Sequence, residues 1–222
     1  MNTIINLSDV SFSYKNKQIF QGLNLSINQS DILAVLGHNG AGKTTLLKIF
    51  AGLLKIKDGK IERNIKTSEI GYMNESLGLY PYLNAKENLD LIMLRNSNEL
   101  SQEKIDYLCD LFDIKSNDII EKYSTGMKKK LSLLGVILSN PKLFLLDEPF
   151  SGIDPISLNF ITNQIKQTSN ETNAFVIVNH DLPSTKKLCN KFIIIKNGNI
   201  VFYSDKKNDI ENLENIYAKY SE

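Results

Sequence analysis

Residues 37–45 constrain the fold of this chain more than any other part of its sequence. They read Gly-His-Asn-Gly-Ala-Gly-Lys-Thr-Thr and match the phosphate-loop pattern G-x-x-x-x-G-K-[ST]. An apolar run typical of a β-strand, 32–36, precedes the match, and a segment with helical periodicity, 45–53, follows it. In this setting the glycines let the backbone wrap an anion, and the helix N-terminus directs free N–H groups at it.

This context predicts a role for two side chains of the loop. Lys43 is expected to reach the β- and γ-phosphates of a nucleotide, and the Thr44 hydroxyl is expected to bind Mg²⁺. The alternative is a glycine-rich turn that fits the pattern by chance, and the flanking strand and helix argue against it. We therefore predict that the chain binds a nucleoside triphosphate.

The composition excludes several classes of function. The 222 residues suffice for one α/β domain with a smaller subdomain, and 42% hydrophobic with 23% charged residues is ordinary for a globular protein. A net charge of +1 gives no reason to expect nucleic acid as a partner. The two cysteines, Cys109 and Cys189, lie in predicted helices without C-x-x-C spacing. We therefore expect no disulfide and no zinc site, and a reducing cytoplasm fits.

The sequence carries no pattern of membrane insertion or secretion. No apolar run approaches the roughly 18 residues that span a bilayer, and the N-terminus lacks a signal-peptide pattern. We expect the chain itself to be soluble. If it works at a membrane, another protein must hold it there.

The order of strand and helix patterns predicts an α/β fold, namely a P-loop NTPase core with an N-terminal antiparallel β subdomain and an inserted all-α subdomain. We predict a single domain over residues 1–222. Its nucleotide-binding core takes residues 1–75 and 142–222, and its helical subdomain takes residues 76–141.

Turn and capping residues predict where the elements begin and end. Expected strands are 4–14, 18–27, 60–63, 69–73, 143–146 and 174–178, followed by a hairpin of 192–196 and 199–203. The hairpin turn is Asn197-Gly198, which favours type I′. Asn84 with Glu87, Ser101, Ser124 and Asp154-Pro155 are expected to open helices. A short helix is expected over 181–190, and a helical tail from residue 205.

A second acidic motif narrows the chemistry. Phosphoryl transfer to water needs a further Mg²⁺ anchor and a group that orients or deprotonates the water. The apolar run 143–146 ends in Asp147 and Glu148. We expect Asp147 to hold Mg²⁺ beside the phosphate loop and Glu148 to act as general base on the water. The alternative is that a strand simply ends in acids at its solvent edge.

Five further segments give the chain a resemblance to the ATP-binding cassette (ABC) family. They occur in the order and at the spacing of that family. Residues 123–128, Tyr-Ser-Thr-Gly-Met-Lys, resemble its signature loop, and residues 151–154, Ser-Gly-Ile-Asp, resemble its D-loop. Residues 178–181, Val-Asn-His-Asp, resemble its switch-histidine segment, and residues 70–75, which end in Glu75, occupy the place of its Q-loop. Tyr14 matches its adenine-stacking aromatic.

The resemblance implies a role for each matching residue. Glu75 joins Thr44 and Asp147 around Mg²⁺, and His180 holds the γ-phosphate and the catalytic geometry beside Glu148 and Lys43. The residues implied in ATP binding within one chain are Tyr14, Gly37, Asn39, Gly40, Ala41, Gly42, Lys43, Thr44 and Thr45.

The resemblance also implies that two chains share each site. In this family the signature loop closes over ATP held by the other subunit, so Ser124 and Gly126 are expected to act in trans, and Asp154 is expected to lie across the interface. The implied partners are a second copy of the chain, arranged head to tail around two ATP molecules, and separate transmembrane permease subunits. The implied location is cytoplasmic, peripheral to the inner face of the cell membrane.

Departures from the family pattern point to one branch. The Q-loop position is Glu75 in place of glutamine, and Thr125 stands where glycine is usual. With the run Glu-Ser-Leu-Gly-Leu-Tyr-Pro at 75–81, these changes resemble ATPases of ABC-2-type exporters. The membrane partner is expected to dock near 75–88. The apolar residues expected there are Leu77, Leu79, Tyr80 and Tyr82, and packing within the subdomain is the alternative for about half of them.

Rival interpretations remain for the function and for single residues. A soluble ABC-type clamp and a module that binds ATP without hydrolysing it are the alternatives to a transporter subunit. Tyr14 has an alternative as an ordinary aromatic at a strand edge. His38 is expected to face solvent, and the run Lys128–Lys129–Lys130 is expected to form a solvated helix face, with contact to a partner as the alternative.

Overall fold

The computed structural model describes residues 2–74, 78–94, 102–115, 117–169 and 171–221. Its strands are β1 (Thr3–Tyr14), β2 (Lys17–Asn28), β3 (Ile32–Leu36), β4 (Asp58–Arg63), β5 (Ile70–Met73), β6 (Leu143–Asp147), β7 (Ala174–Val178), β8 (Lys191–Lys196) and β9 (Asn199–Ser204). Its α-helices are α1 (Lys43–Phe50), α2 (Ala85–Leu94), α3 (Gln102–Leu111), α4 (Thr125–Leu138), α5 (Pro155–Thr168), α6 (Leu182–Leu188), α7 (Lys207–Glu211) and α8 (Leu213–Ser221).

A six-stranded sheet forms the centre of the fold, in the order β5-β6-β7-β3-β8-β9. Its strands pair in parallel except β9, which runs antiparallel to β8. Strands β3, β6 and β7 are buried at every position, because both faces of the sheet are covered. The predicted strands at 143–146 and 174–178 and the predicted hairpin are confirmed.

Alternate residues of the central strands enter two separate cores. Ile32, Ala34 and Leu36 of β3 lie in a core shared with buried residues of α2, α3, α4 and α5. Leu33 and Val35 lie in the opposite core, with α1 and the strands β1 and β2. The period of two along a strand explains this division.

The N-terminal strands form a separate antiparallel sheet in the order β2-β1-β4, as the sequence predicts. Apolar residues of β1 and β2 face α1, so this sheet covers the helix that follows the phosphate loop. The mixed α/β architecture and the antiparallel β subdomain are therefore confirmed.

Helices dominate the part of the chain between β5 and β6. Asn84 caps α2 in a capping box: its side chain accepts from Glu87 N at 2.9 Å, and Glu87 accepts from Asn84 N at 2.8 Å. The predicted cap Ser101 lies outside the described residues. The division of the chain at residues 76 and 141 stays a prediction, because this segment shares one core with the central sheet.

The structure corrects both predicted boundaries of the short helix before β8. The helix predicted over 181–190 spans only Leu182–Leu188, and Cys189 follows it as the C-cap in extended conformation. Cys109 does lie in α3, and both thiols are free and buried. Burial raises the pKa of Cys109 to about 11 and that of Cys189 to about 12, so both thiols are protonated at neutral pH.

Candidate functional site

The loop between β3 and α1 owes its shape to glycines. Gly37, Gly40 and Gly42 all have positive φ, at 149°, 82° and 107°. A Cβ atom on Gly42 would lie 2.8 Å from the Phe20 ring, and one on Gly37 would lie 2.4 Å from the Ile195 carbonyl oxygen. Only glycine fits at both positions, and the resulting backbone curls around an open space in front of α1.

The N-terminus of α1 is suited to an anion. Its N-cap is Gly42, so no side chain caps this end of the helix. The opposite end is satisfied by Arg63, whose Nη2 donates to the Ile49 carbonyl oxygen at 2.7 Å. The helix dipole favours a cation such as Arg63 at the C-terminus of α1 and negative charge at its N-terminus. Since the N-terminus is uncapped, an anion can bind in front of Gly42.

Lys43 is buried at the base of the loop with 7% of its surface exposed. Its Nζ donates to the carbonyl oxygens of Gly37 at 2.8 Å and His38 at 3.1 Å. Burial lowers the pKa of Lys43, and the carboxylates of Glu148 and Asp147 oppose that effect. The ammonium is thus held by loop carbonyls at the place where phosphate oxygens of a nucleotide would take over its hydrogen bonds. His38 is exposed, as predicted.

The two acidic residues after β6 have different surroundings. Asp147 is the last residue of the strand and is 2% exposed. Glu148 follows in the left-handed region with a φ of 50°, a conformation that costs about 1–3 kcal/mol for a residue other than glycine. Its N–H donates to the Val178 carbonyl oxygen at 2.9 Å. Burial raises the pKa of Glu148, Lys43 opposes this, and the Asp147 carboxylate adds to it.

His180 meets Glu148 from the neighbouring strand. It follows β7 by two residues, and its Nε2 lies 2.9 Å from Glu148 Oε1. Burial and then the Lys43 ammonium lower the pKa of His180, while Asp147 opposes them. Burial thus disfavours the charged form of both side chains.

These groups face one cavity of about 780 Å³ at the carboxyl edge of the sheet. Predicted site residues that line it are Tyr14, Asn39, Gly40, Gly42, Lys43, Thr44, Thr45, Asp147, Glu148 and His180. Tyr14 is 43% exposed and packs edge-to-face on Phe12, with ring centroids 4.8 Å apart. Its ring is therefore partly open to the cavity.

Five of the other predicted residues are not among those that line the cavity. Gly37 and Ala41 are buried in the loop itself. Ser124 is the N-cap of α4 and accepts from Met127 N at 3.2 Å, and Gly126 lies in the first turn of that helix. Asp154, also away from the cavity, caps α5 by accepting from Ser157 N at 2.9 Å. Glu75 lies outside the described residues.

One prediction about the lysine run is wrong. Lys130 is 5% exposed and pairs with Asp154 at 3.1 Å between Nζ and Oδ2. Lys129 lines the nucleotide cavity and donates to the carbonyl oxygens of Glu148 and Ser151. A run of three lysines predicts a solvent-exposed helix face only when no other part of the chain packs over it. Here the segment after β6 packs over this face of α4.

Sequence reasoning also missed other residues of the cavity wall. They are Lys17, Ile19, Ser151 and Val178. Lys17 pairs with Tyr14 across the β1–β2 turn, so the hairpin that the sequence predicts could have located it. Ser151 and Val178 begin the segments 151–154 and 178–181, which resemble family motifs, so those motifs could have located them. The place of Ile19 depends on how separate elements meet.

Comparison with known proteins agrees with this architecture. The family described as ABC transporter matches residues 20–151. An ergothioneine transport ATP-binding protein of Helicobacter pylori is 32% identical over 210 residues, covering 88% of this chain and 99% of the relative. A lipopolysaccharide export system ATP-binding protein of Haemophilus influenzae is 29% identical over 216 residues, covering 90% and 89%.

Solved structures share the fold over nearly the whole chain. The ATP-binding subunit of an ABC transporter has a TM-score of 0.88 at 22% identity, covering 99% of this chain and 100% of that one. A dimeric ATP-binding cassette in a post-hydrolysis state, bound to ADP and Pi, has a TM-score of 0.77 at 19% identity, covering 90% and 97%. The chain therefore belongs to the ABC transporter family, and it is an ATP-binding, ATP-hydrolysing member of it.

Proposed function

We propose that this chain is the nucleotide-binding subunit of a membrane exporter of the ABC-2 type. Two copies enclose two ATP molecules head to tail, hydrolysis reopens the dimer, and the motion drives separate transmembrane subunits. The names of the related proteins, which include an export system, support the transport role. The dimeric cassette of the same fold supports the assembly.

The contact between Glu148 and His180 is the observation on which the proposal rests. Two neighbouring strands, β6 and β7, bring these side chains together at 2.9 Å, in the cavity that the phosphate loop lines. Glu148 takes the proton of the attacking water, and its raised pKa brings its basicity nearer to neutral pH. His180 fixes the carboxylate and contacts the γ-phosphate, while Lys43 and the N-terminus of α1 neutralise the developing charge.

The donor set fits Mg²⁺. Magnesium is usually held by one or two carboxylates together with substrate phosphates. The buried Asp147 carboxylate and the Thr44 hydroxyl both line the cavity beside the phosphate loop and supply hard oxygen ligands. We propose Glu75, in the Q-loop position, as a further oxygen ligand. The ion would neutralise charge on the β- and γ-phosphates.

A second copy of the chain completes the site. Ser124 and Gly126 do not line the cavity of their own chain, although they begin a helix that suits an anion. We propose that they approach ATP bound to the other copy and that Asp154 lies along the same interface. Ile156, in the first turn of α5, is 85% exposed and offers apolar surface beside Asp154.

The loop before α2 suits contact with a membrane subunit. Tyr80 and Tyr82 are 59% and 78% exposed. The buried Asn88 side chain accepts from Tyr80 N at 2.7 Å and donates to the Tyr80 carbonyl oxygen at 3.1 Å, so the loop presents both rings from a fixed backbone. Leu79 packs against the core, and Leu77 lies outside the described residues.

The proposed location follows from that contact. No helix in the described part of the chain combines the length and the apolar character that a bilayer crossing requires. We propose that the chain lies at the inner face of the cell membrane and is held there by the permease subunits. Isolation of the complex from its native membrane should recover a transmembrane subunit with this chain.

The Glu148→Gln substitution tests the proposed mechanism. Since the amide cannot accept the proton of water, kcat for ATP hydrolysis should fall by about 10²- to 10⁴-fold. Because ATP binding persists, the variant should accumulate as an ATP-bound dimer in size-exclusion chromatography with light scattering. Glu121→Gln, at an exposed carboxylate, is the control and should behave as the unsubstituted chain. Near-normal hydrolysis by Glu148→Gln would remove Glu148 as the base.

A further inference from the structure

Helix α4 contacts the segment that follows β6, residues 148–154, at several points. At Gly126 the two backbones approach so closely that an added Cβ atom would lie 2.8 Å from the Gly152 carbonyl oxygen. One turn later, Lys130 pairs with Asp154, whose carboxylate also caps α5. The helix that begins at Ser124 is thus fixed to the segment that carries Glu148, within the same chain.

Lys129 makes the contact nearest to the chemistry. Its Nζ donates to the Glu148 carbonyl oxygen at 3.2 Å and to the Ser151 carbonyl oxygen at 2.8 Å. The same side chain lines the nucleotide cavity. A single ammonium therefore connects α4 with the backbone on which the proposed base is mounted.

We propose that Lys129 is a positioning residue for ATP hydrolysis, which holds the backbone of Glu148 in its own chain and so ties the place of the base to α4. The inference rests on the proposed function, because it takes Glu148 as the group that acts on water. In the proposed dimer, α4 of one chain approaches ATP bound to the other chain, whereas Glu148 acts on ATP bound to its own chain. Lys129 would connect these two parts physically.

The backbone of Glu148 shows why such a residue is needed. A φ of 50° is unfavourable for a residue with a side chain and persists only where the surroundings hold it. The N–H before its Cα atom donates to the Val178 carbonyl oxygen, and the carbonyl after it accepts from Lys129. Both peptide groups of Glu148 are thereby fixed, one by β7 and the other by α4. Without Lys129 the second peptide group loses this constraint.

Lys129 also adds charge to the surroundings of the carboxylate. Within the part of the chain that the structure describes, the charged or titratable groups that face Glu148 are Lys43 from α1, Asp147 from β6, Lys129 from α4 and His180 after β7. Burial raises the pKa of Glu148, and Lys43 and Lys129 both act against that increase. The hydrogen bond and the charge of Lys129 are therefore separable contributions.

Three variants of the full chain separate these contributions. Lys129→Met removes the donor and the charge, and kcat should fall roughly 10- to 100-fold, because a misplaced catalytic group can cost about that much. The KM for ATP should change less than about threefold, since the phosphate loop is intact. Lys129→Gln keeps a donor and should recover most of the kcat. Lys122→Met, an exposed lysine that precedes α4, should stay within about twofold.

The split between kcat and KM, together with rescue by a donor, distinguishes positioning from a general structural effect. A positioning role predicts that Lys129→Met lowers kcat while the KM for ATP and the free energy of unfolding stay near those of the unsubstituted chain, and that Lys129→Gln restores kcat. If Lys129→Gln folds normally but is as slow as Lys129→Met, the hydrogen bonds of Lys129 do not position Glu148 and the inference is overturned. If Lys129→Met fails to fold, a kcat of Lys129→Gln that lies about 10-fold or more below that of the unsubstituted chain would overturn it.

Mixed dimers show whether Lys129 acts in its own chain. One chain carries Ser124→Arg and the other carries Lys129→Met, with two different affinity tags for purification. If Lys129 acts on its own Glu148, one composite site stays intact, and activity should equal that of the reference dimer of Ser124→Arg with Lys43→Ala. If Lys129 acts across the interface, both sites are impaired and activity should fall roughly 10- to 100-fold below that of the reference dimer, which would contradict the inference.

The outcomes separate this inference from the function on which it rests. If the unsubstituted chain hydrolyses ATP and Glu148→Gln does not, the proposed base stands. A normal kcat in Lys129→Met would then overturn only the role of Lys129. Normal hydrolysis by Glu148→Gln would overturn the proposed base itself, and the role of Lys129 with it.

Discussion

Helices α1 and α4 both follow a small N-cap residue, but their N-termini differ in how they could bind a ligand. Helix α1 starts after Gly42, and no side chain caps it. Helix α4 starts after Ser124, whose hydroxyl oxygen already accepts from Met127 N. Helices α5 and α6 are capped by the carboxylates of Asp154 and Asp181, which would repel a phosphate. Of these four N-termini, the uncapped end of α1 is therefore the most favourable for an anion and the two carboxylate-capped ends are the least favourable.

The difference between α1 and α4 indicates how a composite site can work. The uncapped end of α1 can receive phosphate within one chain, with Lys43 beside it. The Ser124 hydroxyl of α4 is oriented by its bond to Met127 N, yet it retains its own proton as a donor. Such a hydroxyl can satisfy its helix in the single chain and still donate to a phosphate of the other chain.

Among the substitutions that test the comparison of α1 with α4, loss of Lys43 should lower the ATPase rate most. Lys43→Ala removes the one ammonium that the loop carbonyls hold at the base of the cavity. We expect the ATPase rate to fall by about 10²- to 10³-fold, as for other donors that stabilise transition-state charge. The assay is steady-state phosphate release, with Lys48→Ala in the last turn of α1 as the control.

Mixed dimers extend this prediction to α4. Dimers of Ser124→Arg with Lys43→Ala should keep one intact composite site, whereas each variant alone should keep none. A mixed dimer without asymmetric or rescued activity would show that α1 and α4 of different chains do not share a site. The comparison between the two N-termini would then need another explanation.

A side chain at Gly42 should have the next largest effect. Gly42→Ala places a Cβ atom 2.8 Å from Phe20 on a backbone with a φ of 107°. The loop must shift, and a strain of about 1–3 kcal/mol should weaken ATP binding by roughly 5- to 150-fold. Gly40→Ala is the matched control, because Gly40 also has positive φ but nothing lies within 4 Å of an added Cβ atom.

Isothermal titration with ATP would measure both glycine variants. We expect a weaker affinity for Gly42→Ala than for Gly40→Ala, because only the former adds a clash to the backbone strain. Equal affinities would mean that the contact with Phe20 does not shape the N-terminus of α1.

Local patterns predicted elements and caps better than they predicted long-range contacts. The capping box of Asn84 with Glu87 and the cap at Ser124 need only residues three positions apart, and the structure has both. The contacts of Lys129 join residues 19 and 22 positions apart. Three consecutive lysines gave no sign that one of them reaches the cavity, because the helix direction and the path of the segment after β6 decide this.

The candidate site shows the same limit. Glu148 was predicted as the base from its place after an apolar strand, and the structure puts it beside His180. Its left-handed backbone was not predictable, because glutamate has no preference for positive φ. That conformation arises where β6, β7 and α4 meet, so it depends on tertiary contacts.

The smallest expected effect is on stability and comes from Ser124, the cap of α4. Substitutions at Ser124 separate its role as a helix cap from its proposed role in binding ATP. Ser124→Ala removes the acceptor for Met127 N and should lower the free energy of unfolding by about 1 kcal/mol. Ser124→Asp restores the cap, so its unfolding free energy in urea should match that of the unsubstituted chain. Its carboxylate lacks a proton to donate and repels phosphate, so its ATPase activity should stay low. If Ser124→Asp were as active as the unsubstituted chain, the hydroxyl would serve only α4, and the resemblance between the two N-termini would have no part in nucleotide binding.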